Sequence, residues 1–180
     1  MYMDLIKKIN ELINENTIEK LSSISGENKI KIEESLKSCI ATTLYVLVHK
    51  NSEELDTVIQ ISKSVIEVPV NGQNYSILLK NIFGDNLEGV LYEISKNNNS
   101  NTEAVHLVAN AGVVCIFKAF ESLITSQEVF FIKNLLSDNQ DKIKDLLPGY
   151  MNKTILEKKV SHSHITSPLT QSEFYDENIE

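Results

Sequence analysis

Apolar residues recur along this chain at the i, i+3, i+4 spacing of core-facing α-helices. The longest such stripe runs from about Lys29 to Lys50, and a second runs from Thr102 to about Ile124. The second stripe is apolar around so much of its circumference that we expect its helix to lie centrally in a bundle. Only three Pro and six Gly interrupt the chain, which favours long helices over strands. The pattern therefore predicts an all-α, multihelical bundle.

Capping residues and turn residues predict where the individual helices begin and end. The predicted N-terminal caps are Asp4, Asn16-Thr17, Ser52, Asp85, Thr102, Ser126 and a capping box of Ser137 with Gln140. The predicted stops are Gly26, the residues before Pro69, Gly84 and Leu147-Pro148-Gly149. The helix that begins at Ser126 is expected to place Val129, Phe130, Ile132 and Leu136 on its apolar side. Residues 68–75 contain Asn-Gly, which suits a hairpin turn, but the flanks are short and we predict a connecting loop.

The chain also matches itself when it is shifted so that Ile18 lies on Leu87, an alignment we call the sequence register. In this register the two long stripes superimpose, with Leu36 on Val105, so that core position falls on core position. We therefore predict a helical domain over residues 1–150 that is a tandem duplication of a three- to four-helix unit. The units are expected over about 1–67 and 74–150. Two independent helical hairpins of similar spacing would give the same pattern.

Residues 151–180 form a polar tail with an acidic end, which we predict to be flexible or to dock a partner. Phe174 and Tyr175 stand among acidic residues and are the candidate docking residues, binding another protein or folding back onto the chain's own surface. Plain disorder is the simpler alternative. His162 and His164 alternate in the tail, but without a third ligand they make a weak metal site.

Composition and charge exclude several functions. All 17 basic residues are lysines and the net charge is −8, so the chain lacks both the guanidinium groups and the basic surface that nucleic-acid binding favours. No apolar run approaches the roughly 20 residues of a membrane span. The N-terminal residues do not resemble a signal peptide, and we expect a cytoplasmic protein with reduced cysteines.

The residues that most often carry chemistry have structural interpretations here. In the sequence register His106 and His49 align with lysines of the other unit, which favours surface positions for both. Cys39 and Cys115 align with valines, which favours small apolar residues of the core. No catalytic, cofactor or metal site is predicted, because no motif for one is present.

The order of elements resembles the YidB-like family of small bacterial helical proteins, whose domain is also found joined to OmpA-type domains. The resemblance covers about residues 15 to 151. The stretches that carry it are Ile18-Glu19-Lys20-Leu21, Leu78 to Gly84, Leu87 to Ile94, and Leu135 to Gln140 continued by Ile143 and Leu146-Leu147-Pro148-Gly149. It implies an all-helical fold with internal duplication, and it brings no catalytic residues because the family has no established activity.

Three functions are consistent with these features. The first is a non-catalytic cytoplasmic protein that binds another protein, as an interaction, scaffold or accessory protein. The second is a small-molecule carrier with an apolar pocket, for which the sequence offers Phe83, Phe117, Phe120, Phe130 and Phe131. The third is an enzyme, which would need a histidine or buried carboxylate in a cleft with a second polar group.

Overall fold

The computed structural model of the chain describes residues 4–65, 73–124 and 128–151. Within these ranges the chain forms α-helices and one 3-10 turn, and no strand is present there. The helices are α1 (Leu5–Leu12), α2 (Glu15–Ser25), α3 (Lys29–His49), α4 (Ser52–Val65), α5 (Gln73–Phe83), α6 (Leu87–Asn97), α7 (Thr102–Leu123), α8 (Val129–Asp138) and α9 (Gln140–Leu146). The 3-10 turn, Gly84–Asn86, joins α5 to α6. The predicted all-α, multihelical bundle is confirmed.

Helices α3 and α7 form the centre of the bundle and pack on each other more extensively than any other pair. Each ends one residue before the predicted end, at His49 and at Leu123. Gly112 of α7 faces α3, and a Cβ added at Gly112 would lie 3.1 Å from Ile40 Cγ1. The absence of a side chain at this position therefore lets the two central helices approach closely.

The other helices surround this central pair. Helices α1 and α2 pack on α7, and α2 also packs on α3, whereas α4 packs on α5 and α8. Helix α9 packs on α3. One continuous apolar core runs from Leu5 to Met151, so both predicted units contribute to a single core.

Helix α7 is long and apolar enough to cross a membrane, judged by length and composition alone. It has a mean hydropathy of 1.4, and 61% of its most apolar window is buried inside the bundle. Among the described residues it is the one helix with these properties. Because the central helix of a folded bundle has the same properties, they are weak support for a membrane span.

The residues that cap the helix N-termini in the structure agree only in part with the caps predicted from the sequence. Asp4 caps α1 as predicted, and its side chain accepts a hydrogen bond from the backbone N–H of Lys7. For three other helices an asparagine shortly before the predicted residue is the cap: Asn14 for α2, Asn51 for α4 and Asn101 for α7. Asn, Ser and Thr all cap well, so neighbouring candidates are not distinguished by residue type.

Two further cap predictions were wrong. Asp85 lies inside the 3-10 turn rather than at the start of α6. The capping box of Ser137 with Gln140 does not form, because α8 continues through Asp138 and Asn139 separates it from α9. Ser126 lies outside the described residues.

The prediction of a loop over residues 68–75 was wrong at its C-terminal end, because α5 already begins at Gln73. The Asn-Gly hairpin alternative and the stop before Pro69 both fall outside the described residues.

The turns that lead into α3 and α7 have the same construction. Gly26 and Asn99 both have a left-handed backbone, with φ of 70° and 48°. Two residues later, Asn28 and Asn101 cap the long helices, each by accepting a hydrogen bond from the backbone N–H two residues ahead. We call the alignment that places Gly26 on Asn99, and therefore Asn28 on Asn101, the turn register.

A serine contact also repeats in the turn register. Ser22 Oγ donates to the carbonyl oxygen of Glu27 at 2.6 Å, and Ser95 Oγ donates to that of Ser100 at 2.7 Å. The turn register differs from the sequence register by about one helical turn, so the apolar faces coincide in either alignment. The tandem duplication stays a prediction, and the local structure favours the turn register over the sequence register for it.

Candidate functional site

Two phenylalanines of α8 are on the surface. Phe130 is 66% exposed and Phe131 is 44% exposed. Their ring centroids lie 5.6 Å apart in an edge-to-face arrangement. We call Phe130, Phe131 and the exposed Asn134 beside them the aromatic face. Two adjacent exposed aromatic rings make this surface a candidate interaction site.

The positions of the apolar residues along α8 explain why Phe130 and Phe131 are exposed. Ile132, Leu135 and Leu136 form the buried stripe of this helix. At about 100° per residue, Phe130 falls opposite that stripe and Phe131 at its edge. The expectation that Phe130 lies on the apolar side was therefore wrong, whereas Ile132 and Leu136 were placed correctly.

Two polar residues, Lys133 and Asn134, lie next to the aromatic pair on α8. Lys133 Nζ donates a hydrogen bond to Ser52 Oγ at 2.9 Å, which joins α8 to the start of α4. Asn134 is exposed one turn after Phe130. An apolar centre with a polar rim is the usual anatomy of a protein–protein interface.

A second candidate site is the pair of small clefts on either side of His49. One has a volume of about 130 Å³ and includes Glu54, Phe83 and Asn86, and the other, of about 140 Å³, includes Tyr45. Both are smaller than the roughly 300–1,000 Å³ typical of small-molecule sites. These clefts are therefore too small for an ordinary metabolite.

The imidazole of His49 is oriented by its own helix. His49 Nδ1 lies 2.7 Å from the carbonyl oxygen of Tyr45, and the two rings lie 4.3 Å apart. Because a carbonyl oxygen only accepts, Nδ1 carries the proton and Nε2 is the acceptor of the neutral ring. Glu54, in the same cleft, accepts from the backbone N–H of Asn51 at 3.0 Å, so its carboxylate serves a capping box.

His106 has a carboxylate partner that the sequence did not reveal. Its Nε2 lies 3.3 Å from Glu88 Oε2, and both side chains are substantially exposed. The partner comes from α6, so no spacing within α7 indicated it. Within the described ranges no group of three or more His, Cys, Asp or Glu is placed to hold a metal ion.

Both cysteines lie in the core, as predicted. Burial raises the pKa of the Cys39 thiol to about 12, and it also raises the pKa of Cys115. A thiol that stays protonated near neutral pH is a poor nucleophile and a poor metal ligand.

A cluster of neutral polar side chains joins α3 to the turn after α6. Ser35 Oγ lies 3.1 Å from Ser100 Oγ, and the Asn98 amide donates to Ser35 and Ser38. Tyr150 donates to Ser38 at 3.3 Å, and burial raises the pKa of its phenol. These groups satisfy one another's hydrogen bonds, which accounts for their burial without a ligand.

The structure does not bring the remaining candidate site residues together. Phe83, Phe117 and Phe120 are buried, whereas Phe130 and Phe131 are on the surface. The five phenylalanines therefore do not line one pocket. The tail candidates Phe174, Tyr175, His162 and His164 lie outside the described residues.

Comparison with family models, with curated proteins and with solved structures gave no match. The resemblance to the YidB-like family thus stays a prediction. The helical fold does not test it, because the apolar periodicity alone predicted that fold.

Proposed function

We propose that this chain is a non-catalytic interaction, scaffold or accessory protein that binds a partner protein through the aromatic face of α8. The observation that carries the proposal is the exposure of Phe130 and Phe131 on a helix whose other apolar stripe is fully used by the core. Aromatic side chains supply much of the binding energy at protein interfaces, since each buries a large area with few rotatable bonds.

The partner is expected to offer an apolar surface with space for the two rings. The aromatic face has no carboxylate among its three residues, although the whole chain has a net charge of −8. Apolar burial, rather than charge attraction, would therefore dominate the contact. Phe174 and Tyr175 provide a second candidate docking segment, and the proposed setting is the cytoplasm.

The alternatives receive less support. A carrier needs an enclosed apolar pocket, and the cleft beside Phe83 has a volume of only about 130 Å³. An enzyme would have its best histidine at His49, where the neighbouring Glu54 carboxylate is occupied by its capping contact. Neither arrangement resembles a substrate site as closely as the aromatic face resembles an interface.

The test is affinity purification of the full chain from its own host, comparing the native sequence with Phe130→Asp/Phe131→Asp. We expect a specific partner whose recovery falls at least about tenfold in the double variant, as for loss of a binding hot spot. Ile24→Asp is the matched control, since Ile24 is 72% exposed on α2. Equal recovery from all three proteins, or no specific partner, would refute the proposal.

A further inference from the structure

Carboxylates stand at both ends of α8, on which the aromatic face lies. Glu128, the residue directly before α8, is exposed, and its side chain does not cap the helix. Asp138, the last residue of α8, is also exposed, and it lies two turns after Phe131 on the same side of the helix. Lys133 is the one basic residue of α8, and its ammonium group donates a hydrogen bond to Ser52. Both ends of α8 are therefore acidic.

The neighbouring helix α4 adds carboxylates on the side of Lys133. The hydrogen bond of 2.9 Å from Lys133 to Ser52 places the start of α4 beside the aromatic face, because Lys133 lies one turn after Phe130. Asp56 is exposed one turn after Ser52, on the same face of α4. Glu53 is exposed directly after Ser52. The start of α4 thus extends the acidic surroundings of the two rings.

Two other charged residues close to Ser52 in sequence face a different part of the bundle. Lys50 and Glu54 line the cleft beside His49, on the side of α5 and α6. Lys50 therefore does not belong to the surroundings of the aromatic face. The exposed carboxylates that do belong to them form what we call the acidic rim: Glu53, Asp56, Glu128 and Asp138.

We infer that the partner segment that binds the aromatic face is basic, with apolar side chains that cover the two rings and Lys or Arg residues that face the acidic rim. This inference rests on the proposed function and specifies the chemistry of its partner. The faces of phenylalanine rings attract cations as well as apolar groups. Carboxylates at the edge of an interface speed the approach of a cationic segment and repel an acidic one. The rings thus supply most of the affinity, and the acidic rim selects the partner.

Fluorescence anisotropy of labelled synthetic peptides, titrated with the full chain, tests this inference. The probe is an amphipathic helix with leucines on one side and lysines along both edges of that side. The matched peptide has glutamates in place of the lysines. We expect the lysine peptide to bind at least about tenfold more tightly than the glutamate peptide, and its affinity to fall as the salt concentration rises.

Neutral variants of the acidic rim locate the effect on the chain. Asp56→Asn/Glu128→Gln should weaken binding of the lysine peptide at least about threefold, because two carboxylates at the edge of the interface are lost. Glu15→Gln/Glu34→Gln is the matched control, since it removes the same charge from exposed positions of α2 and α3. It should change the affinity by less than about 1.5-fold. Equal effects of the two double variants would overturn the inference.

The phenylalanines separate binding at this site from general attraction to an acidic chain. Phe130→Asp/Phe131→Asp adds two negative charges, so it should strengthen a merely electrostatic contact, yet we expect binding of the lysine peptide to fall at least about tenfold. Unchanged or stronger binding would overturn the inference.

Two further outcomes keep this inference apart from the proposed function. Equal affinities for the lysine and glutamate peptides, both lost in Phe130→Asp/Phe131→Asp, would overturn the inference and leave the proposed function standing. No binding of the lysine peptide would also overturn the inference, whereas the proposed function fails when purification from the host yields no specific partner.

Discussion

Asn139 Oδ1 accepts a hydrogen bond at 3.3 Å from the backbone N–H of Leu5, a residue 134 positions earlier in the chain. Asn139 is fully buried, and its amide nitrogen donates to the carbonyl oxygen of Leu135 at 2.9 Å. One side chain therefore joins the start of α1 to the junction of α8 and α9. Its partner is one of the N–H groups that a helix start leaves without an internal acceptor.

Asn139→Ala should lower the free energy of unfolding by about 1–3 kcal/mol, because it leaves a buried N–H without an acceptor. Chemical denaturation followed by circular dichroism measures this. Asn134→Ala, at an exposed position of α8, should change stability by less than about 0.5 kcal/mol. Equal effects of the two substitutions would show that the Asn139 contact is not stabilising.

Gly112→Ala tests the close approach of α3 and α7. The new methyl group would lie 3.1 Å from Ile40 Cγ1 and 3.5 Å from Leu36 Cδ1. We expect a loss of about 1 kcal/mol from overpacking, despite the better helix propensity of alanine.

Ile40→Ala provides the matched background for that substitution, since it removes the crowded atom. Gly112→Ala should be neutral or stabilising there, with a coupling free energy of about 1 kcal/mol from a double-mutant cycle. Additive effects would mean that the two residues do not restrain each other.

Gly26 and Asn99, the left-handed residues in the turns before α3 and α7, should tolerate the same substitutions. Gly26→Asn and Asn99→Gly should each change stability by less than about 0.5 kcal/mol, since both residue types adopt this backbone. Alanine at either position should cost about 1 kcal/mol. Thermal unfolding of the four variants measures this, and a different order of tolerance at the two positions would contradict the equivalence of the turns.

The buried thiol of Cys39 predicts the effect of alkaline pH on stability. The unfolded thiol has a pKa near 9.0 and the folded thiol has a pKa of about 12. The folded state thus favours the protonated form, and this stabilisation is complete below pH 9 and is lost progressively as pH rises towards 12.

Cys39→Ala should therefore show a smaller loss of stability between about pH 8 and pH 10 than the native chain. Urea unfolding at the two pH values measures the difference. At the lower pH a thiol reagent should label Cys39 only after unfolding. Rapid labelling of Cys39 in the folded chain would contradict its burial.

Much of the fold was predictable because α3 and α7 are long and strongly periodic. Each apolar stripe spans several helical turns, so the sequence indicated both helices clearly, and only the last residue of each helix was predicted wrongly. The caps at Asn14, Asn51 and Asn101 were missed because several good capping residues stand close together. The sequence register and the turn register differ by one helical turn, and helical periodicity alone does not distinguish residues four apart.

The aromatic face was not predictable from the same pattern. Three consecutive apolar residues occur here, Phe130, Phe131 and Ile132, and the sequence pattern allows each of them to be the first residue of the buried stripe. In the structure the stripe begins at Ile132, because Leu135 and Leu136 continue it against the neighbouring helices. The His106–Glu88 pair likewise depends on how α6 packs on α7, which sequence spacing does not contain.

The most direct test of an interface on α8 is site-specific photo-crosslinking in the host cell, with the crosslinking residue at position 130 of the full chain. The proposal predicts one abundant protein adduct from position 130 that is lost with Phe131→Asp and absent from position 24. The absence of an adduct at 130, or the same adduct from both positions, would contradict it.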